Sequence, residues 1–287
     1  MKRIFSLIVL LSLAVMAMGG QFNWDLPITN GRSHGIISSG TPTPPATSSL
    51  PLWNTATQAV YLDGIDDGIQ ATSTIGLPKD NEARTYMLWI KEDNPALTRY
   101  CFATGNTGPA QGVAILQNNT TFYLDFNSYN LNFANIGTTS WRHVALTLPA
   151  SGTMGSFSIY FDGEQVASQA SGLRTYAGIM GANGANGIPD TDYSGVAQLN
   201  LGSWLSIVGA GPAPDPGKYA EFSAWNKCMT ADEVKLYYDK ILAGNEAGLK
   251  MVWHLNEGTG HFATEYTSGY WGNIWNGVVL AATWVAR

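Results

Sequence analysis

Between Leu52 and Arg287 apolar and polar residues alternate in short runs. A period of two places every second side chain on one face, as in a strand with one buried side. The runs are AVYLDG, TYMLWIK, YCFATG, GVAILQ, TFYLDF, LNFAN, WRHVALTL, SFSIYFDG, EQVASQ, AQLNLGSW, YAEFSAW, KMVWHL and GVVLAATWVA. Gly, Asn, Pro or Asp separates most of them at intervals of roughly 8 to 15 residues, the rhythm of sandwiches and jelly rolls. Asp162-Gly163 stands between SIYF and EQVA. It predicts a tight hairpin, because a type I′ turn needs positive φ at both central residues. The expectation is an all-β fold, a two-sheet antiparallel jelly-roll sandwich.

One stretch, TADEVKLYYDKILAG, keeps a helical period instead. Thr230 is placed to cap the N-terminus, and Glu233 three residues on completes a capping box. Asp232 and Glu233 suit the positive end of the helix dipole. Val234, Tyr237, Tyr238 and Ile241 fall on one stripe, and Gly244 suits the stop. The reading is one short helix near residues 230–243.

The first 20 residues lack this patterning. MKRIFSLIVLLSLAVMAMGG has a basic start, an apolar stretch too short to span a bilayer comfortably, and small residues at Ala17 and Gly19. That is the make-up of a signal peptide and implies export. Residues 21–50 are rich in Pro, Ser, Thr and Gly and read as an arm or linker with no core of its own. The domain proper is then 51–287.

Composition narrows the partners. Charged residues make up 13%, about half the usual ~25%. The formal charge is −6. Beyond residue 20 there are 13 basic against 21 acidic residues and no basic run, which disfavours nucleic acid or an anionic membrane surface as partner. No membrane span is expected after signal cleavage. Cys101 and Cys228 permit one disulfide or two free thiols. Asn118 and Asn119 each begin a glycosylation sequon.

Several motifs in order resemble the laminin-G-like group of concanavalin A-like jelly rolls, the sandwich also seen in pentraxins. VYLDGIDDGIQA resembles its opening strand and acidic turn, and TYMLWIK the strand with an inward Trp. WRHVALTL with FSIYFDGEQVAS resembles the central hairpin. LNLGSW and YAEFSAWNKCMTADEVKLYY resemble the late strand, turn and helix, and GLKMVWHLNEGTG the return strand. The resemblance spans about residues 52 to 280. It implies two antiparallel sheets, often a calcium ion near the sandwich edge, and binding of glycans or proteins.

The acidic turn is the candidate metal site. Calcium takes six to eight oxygens, and Asp63, Asp66 and Asp67 could supply several. The equal alternative is a solvated turn whose carboxylates accept backbone N–H groups. The resemblance implies another carboxylate on the late strand. Ala220 stands at the aligned position with Glu221 next to it, and a regular strand would aim Glu221 at the other face. The metal set is therefore Asp63, Asp66, Asp67 and Glu221.

Catalysis finds little support. Retaining glycoside hydrolysis needs two carboxyls about 5 to 5.5 Å apart, and no Glu has an acidic partner two residues away on a convincing strand. His143 reads as strand packing and His254 as a strand end. Aromatic residues suit a binding role better, since Tyr and Trp offer flat apolar area to sugar C–H faces. Trp89, Trp141, Trp225 and Trp253 fall in core-like strands. Tyr129, Tyr193, Trp204, Tyr270, Trp271 and Trp275 fall in connections and form the candidate ligand set. The function expected is a secreted carbohydrate-binding or adhesion module, calcium-assisted, whose partner is extracellular glycan or a surface protein. The alternatives are a self-assembling extracellular structural or fibre subunit and, third, a polysaccharide hydrolase or lyase.

Overall fold

The structure is a computed structural model. It describes residues 52–53, 56–64, 67–71, 74, 76–94, 99–106, 112–118, 121–125, 130–135, 139–152, 156–166, 198–202, 216–259, 262–267, 277–280 and 283–287. The signal-like segment 1–20, the arm 21–50, Asp66 and the six candidate ligand aromatics lie outside these residues.

The described strands, in chain order, are β1 (Gln58–Leu62), β2 (Gly68–Ala71), β3 (Arg84–Glu92), β4 (Arg99–Gly105), β5 (Gly112–Asn118), β6 (Thr121–Asp125), β7 (Asn130–Asn135), β8 (Arg142–Leu148), β9 (Ser158–Phe161), β10 (Glu164–Gln165), β11 (Gln198–Leu201), β12 (Gly217–Trp225), β13 (Leu249–Trp253), β14 (Phe262–Ala263), β15 (Gly277–Leu280) and β16 (Thr283–Ala286). One sheet runs β10-β9-β8-β3-β12-β1-β16, with β13 also on β12; the other runs β14-β15-β2-β11-β4-β5-β6-β7. Every described pairing is antiparallel. This is the expected two-sheet sandwich.

The alternation does what the pattern predicts. Leu88 and Ile90 of β3, Tyr219 and Phe222 of β12, Phe102 of β4 and Phe122 of β6 meet in one buried cluster drawn from both sheets. Removing such apolar area from water stabilises the fold by about 25 cal/mol per Å². The intervening residues of the first sheet, Met87, Ala145, Tyr160 and Trp225, face outward and are covered by Val234 and Tyr237 of the helix.

Helix α1 (Ala231–Tyr237) is shorter than the sequence suggested. Thr230 caps it as expected: the Glu233 N–H donates to Thr230 Oγ1 at 3.3 Å, and the Thr230 N–H donates to Glu233 Oε2 at 3.0 Å. The chain leaves the helix after Tyr238, because residues 239–240 pair with Leu52 and Trp53. Gly244 therefore does not stop the helix, and Tyr238 and Ile241 do not extend its stripe. Thr230→Ala removes one side of the capping box and is expected to cost about 1 kcal/mol. Denaturant unfolding checks this, and an unchanged midpoint would refute it.

Two departures from the pattern matter for the site. The final run, GVVLAATWVA, is two strands: β15 pairs β2 in one sheet and β16 pairs β1 in the other. Strand β12 is irregular, with its register against β3 shifting between Ala220 and Ser223. At the break Glu221 has φ 51°. One flank of β12 pairs β1 through Tyr219, and past the break the same flank pairs β13 from Phe222 on. A bulge of this kind adds a residue to one strand and re-aims its side chain.

Candidate functional site

An aromatic cleft lies on the outward face of the first sheet. Its floor is Trp89, midway along β3 and 6% exposed, with its indole N–H donating to the Tyr238 carbonyl at 3.0 Å. Trp53 stacks on it with ring centroids 3.6 Å apart and planes at 17°. Trp141, just before β8, stands edge-on to Trp53 at 5.5 Å. Leu52, Asp162, Tyr238 and Asp239 complete a cleft of about 430 Å³.

Each wall is set by a local device. Trp53 is held where its N–H donates to the Asp239 carbonyl at 2.9 Å. Asp162 and Gly163 form the predicted hairpin turn with φ of 51° and 81°. Asp162 Oδ1 accepts the His143 N–H at 2.9 Å, and Oδ2 pairs with Arg142. Gly163 is needed for space as well as for φ, since a Cβ there would come within 2.7 Å of the Tyr238 ring. Asp239 pairs with Lys240 at 2.7 Å. Arg287 lies 3.5 Å from the Trp53 ring centroid, a cation–π contact, and burial lowers its pKa to about 10.

Beside this floor, opposite Trp89 on the neighbouring strand, His143 is 3% exposed, packs edge-on to Trp89 at 5.5 Å, and is held neutral by burial, with its pKa pushed down to about 3. This agrees with a packing role. Trp225 and Trp253 are fully buried, as read. Trp89 and Trp141 are instead parts of the cleft, and Trp53 went unnoticed in the sequence because it stands outside any periodic run.

The acidic turn gathers two of its predicted members. Asp67 is 2% exposed, and its Oδ2 accepts the Asp63 N–H at 2.7 Å, closing the turn. Glu221 is not beside them. The Leu62–Gly217 pair is next to the turn, and Glu221 lies four residues further along β12. The bulge invalidates the regular-strand argument for its direction. Glu221 is 6% exposed and bonds His254 Nδ1 at 2.8 Å. Among the described residues no three His, Cys, Asp or Glu side chains converge closely enough to hold a metal ion.

The Glu221–His254 pair was also missed, because its members are 33 residues apart. Tyr266 rests on His254 at 4.5 Å between ring centroids. Burial pulls the His254 pKa down, but the Glu221 carboxylate overcomes this and holds it above its ordinary value. Cys101 and Cys228 are both free thiols; Cys101 donates to Glu92 Oε1 at 3.2 Å. No described helix is long and apolar enough to cross a membrane.

Comparison with known proteins places the fold. The model of the concanavalin A-like lectin/glucanases superfamily matches residues 62–235. No curated protein matches the chain. A "putative carbohydrate binding protein" from Bacteroides ovatus ATCC 8483 is similar in structure, with TM-score 0.57, 19% identity and 80% of this chain covered. The present chain spans 60% of that protein's length. The heptameric SAP-like pentraxin of Limulus polyphemus aligns at TM-score 0.43 and 16% identity, covering 63% of this chain and 80% of its own.

Proposed function

Because the chain belongs to the concanavalin A-like lectin/glucanases superfamily, we propose that it is an extracellular carbohydrate-binding module and that the tryptophan cleft holds the sugar. The single observation that carries this reading is the cleft itself. Trp53, Trp89, Trp141 and Tyr238 gather around about 430 Å³ of open space, with Asp162 and Asp239 at its edge. Aromatic faces take the apolar C–H side of a pyranose at little entropic cost. Carboxylates accept the hydroxyl hydrogens around its rim. The rings are already stacked and bonded in place, so little ordering is required on binding. The carbohydrate-binding description of the Bacteroides protein and the signal-like N-terminus are in keeping with this role.

Calcium enters the reading at the Asp63–Asp67 turn, where the ion would order a connection rather than touch sugar. Melting with and without calcium tests that part by itself.

Trp141→Ala removes one aromatic wall of the cleft, a half-buried ring outside the main core. Glycan affinity should fall about tenfold, or about 1.4 kcal/mol, with the melting temperature within a degree or two. Calorimetric titration against a panel of oligosaccharides measures both. An unaltered dissociation constant in this variant would remove the cleft from consideration.

A further inference from the structure

The charge around the cleft is not neutral. In β1, Val60 and Leu62 point into the core, so Tyr61 points outward, and by the same alternation Lys218 of β12 and Lys91 of β3 point outward beside it. The register puts Tyr61 opposite Lys218 and Lys218 opposite Lys91. The β3–β8 register ends at the Ile90–Arg142 pair, and continued by one step it brings Lys91 to the Trp141 side of the sheet. Like charges directly opposite each other across a strand pair destabilise it. Neither lysine forms an ion pair among the described residues.

The carboxylates of the cleft are already answered: Asp162 by Arg142 and Asp239 by Lys240. Arg287, above Trp53, likewise has no carboxylate within ion-pair distance among the described residues. Arg287 is answered in part by the charge of the buried Glu221, which leaves Lys91 and Lys218 as the cations without an ion pair among the described residues beside the aromatic floor, in a chain whose formal charge is −6. Asp93 lies beside the Tyr61 hydroxyl, with Asp63 and Asp67 also acting on it, at the end of the row away from the cleft.

We infer that the cleft takes an acidic glycan, its sugar ring on Trp141 and its anionic substituent on Lys91 and Lys218. This rests on the carbohydrate-binding reading above and narrows it to one substrate class. The shared ligand chemistry is an anionic group on a pyranose. A uronate carboxylate and a sulfate ester are its two sources. A lysine ammonium serves either as a point charge, without the fork geometry by which arginine would select one.

The test uses the full chain and three probes of matched length: an oligogalacturonate, a sulfated galactan oligosaccharide and a neutral glucan. Each is titrated at 50 and 500 mM salt against wild type, Lys91→Gln/Lys218→Gln, Asp93→Asn and Trp141→Ala. One or both acidic probes should bind at least about tenfold tighter than the glucan, and which of them does so identifies the substituent. The double lysine variant should lose about tenfold on the acidic probe and nothing on the neutral one. Its melting temperature should hold or rise as the repulsion is relieved. High salt should weaken acidic binding alone, and Asp93→Asn should tighten it. Trp141→Ala should weaken all binding. Equal affinity for glucan and acidic probes, unmoved by the lysine changes, would overturn the acidic assignment and leave the carbohydrate reading standing. No binding of any probe to wild type would overturn both.

Discussion

His254→Ala should cost about 3 kcal/mol of stability at pH 7, and at least about 1 kcal/mol less at pH 4. The reason is the carboxylate left behind. Glu221 is 6% exposed, and its Oε1 has no hydrogen-bond partner among the described residues. His254, on Oε2 at 2.8 Å, is its charge partner. Removing one member of a buried pair typically costs 3–5 kcal/mol, because the survivor is charged and desolvated. Burial pushes the Glu221 carboxyl up, and His254 pulls it back; without His254 the upward push is opposed only by the charge of Arg287. At pH 4 the variant's Glu221 takes up a proton and escapes the penalty. Its loss then reduces to one hydrogen bond and the packing of the ring against Tyr266.

The wild type carries a related dependence of the same sign. His254 is held above its ordinary value of about 6.5, so the pair's contribution is complete below that pH. It drains away as pH rises through the folded-state value. Stability of the wild type should therefore decline between neutral and alkaline pH. Glu221→Gln should flatten that decline at a cost near 1 kcal/mol. Chemical denaturation at pH 4, 7 and 9 measures all three proteins. An equal loss in His254→Ala at pH 4 and 7 would show that Glu221 is not the group responsible.

Gly244→Ala is expected to be as damaging by a different route, at about 3 kcal/mol, or roughly 10 °C in melting temperature. Gly244 has φ 88°, which an L side chain adopts only at a cost of about 1 kcal/mol. The larger part is steric. A Cβ would come within 1.8 Å of the Tyr266 carbonyl oxygen, a backbone atom that cannot rotate away. Nor can the segment retreat easily. Thr267 N–H and Val252 N–H both donate to Glu265 Oε1, at 2.6 and 3.3 Å, and Trp253 bridges to Glu265. On the other side Glu246 accepts the Ala243 and Gly244 N–H groups at 2.6 and 3.0 Å. Since Tyr266 also rests on His254, the shift would reach the buried pair. Gly244→Ala and His254→Ala should then be less than additive in a double-mutant cycle. A melting temperature within two degrees of wild type in Gly244→Ala would contradict the packing described.

Much of the fold was open to reading in one dimension. Period-two alternation marked nearly all the strands, because a side chain's face in a strand depends only on its parity. Strand β2 and the two-residue β14 escaped, being too short for a period to show. The Asp162-Gly163 turn and the Thr230–Glu233 capping box were legible because each is closed within four residues. The candidate site was far less visible. Glu221 was assigned a direction from strand parity, and the bulge beside it broke that parity. Trp89 and Trp141 were identified as residues but not as neighbours of Trp53.

The amino-acid sequence by itself determined the layer architecture, the turns and the helix start, since these follow from contacts between residues close in the chain. The three-dimensional pairing decided the rest. It split the last run between two sheets, joined Glu221 to His254, and put Lys218 beside Lys91. Such neighbours depend on which strands pair and in what register. That choice minimises the free energy of the whole sandwich and leaves no local trace at the residues it brings together.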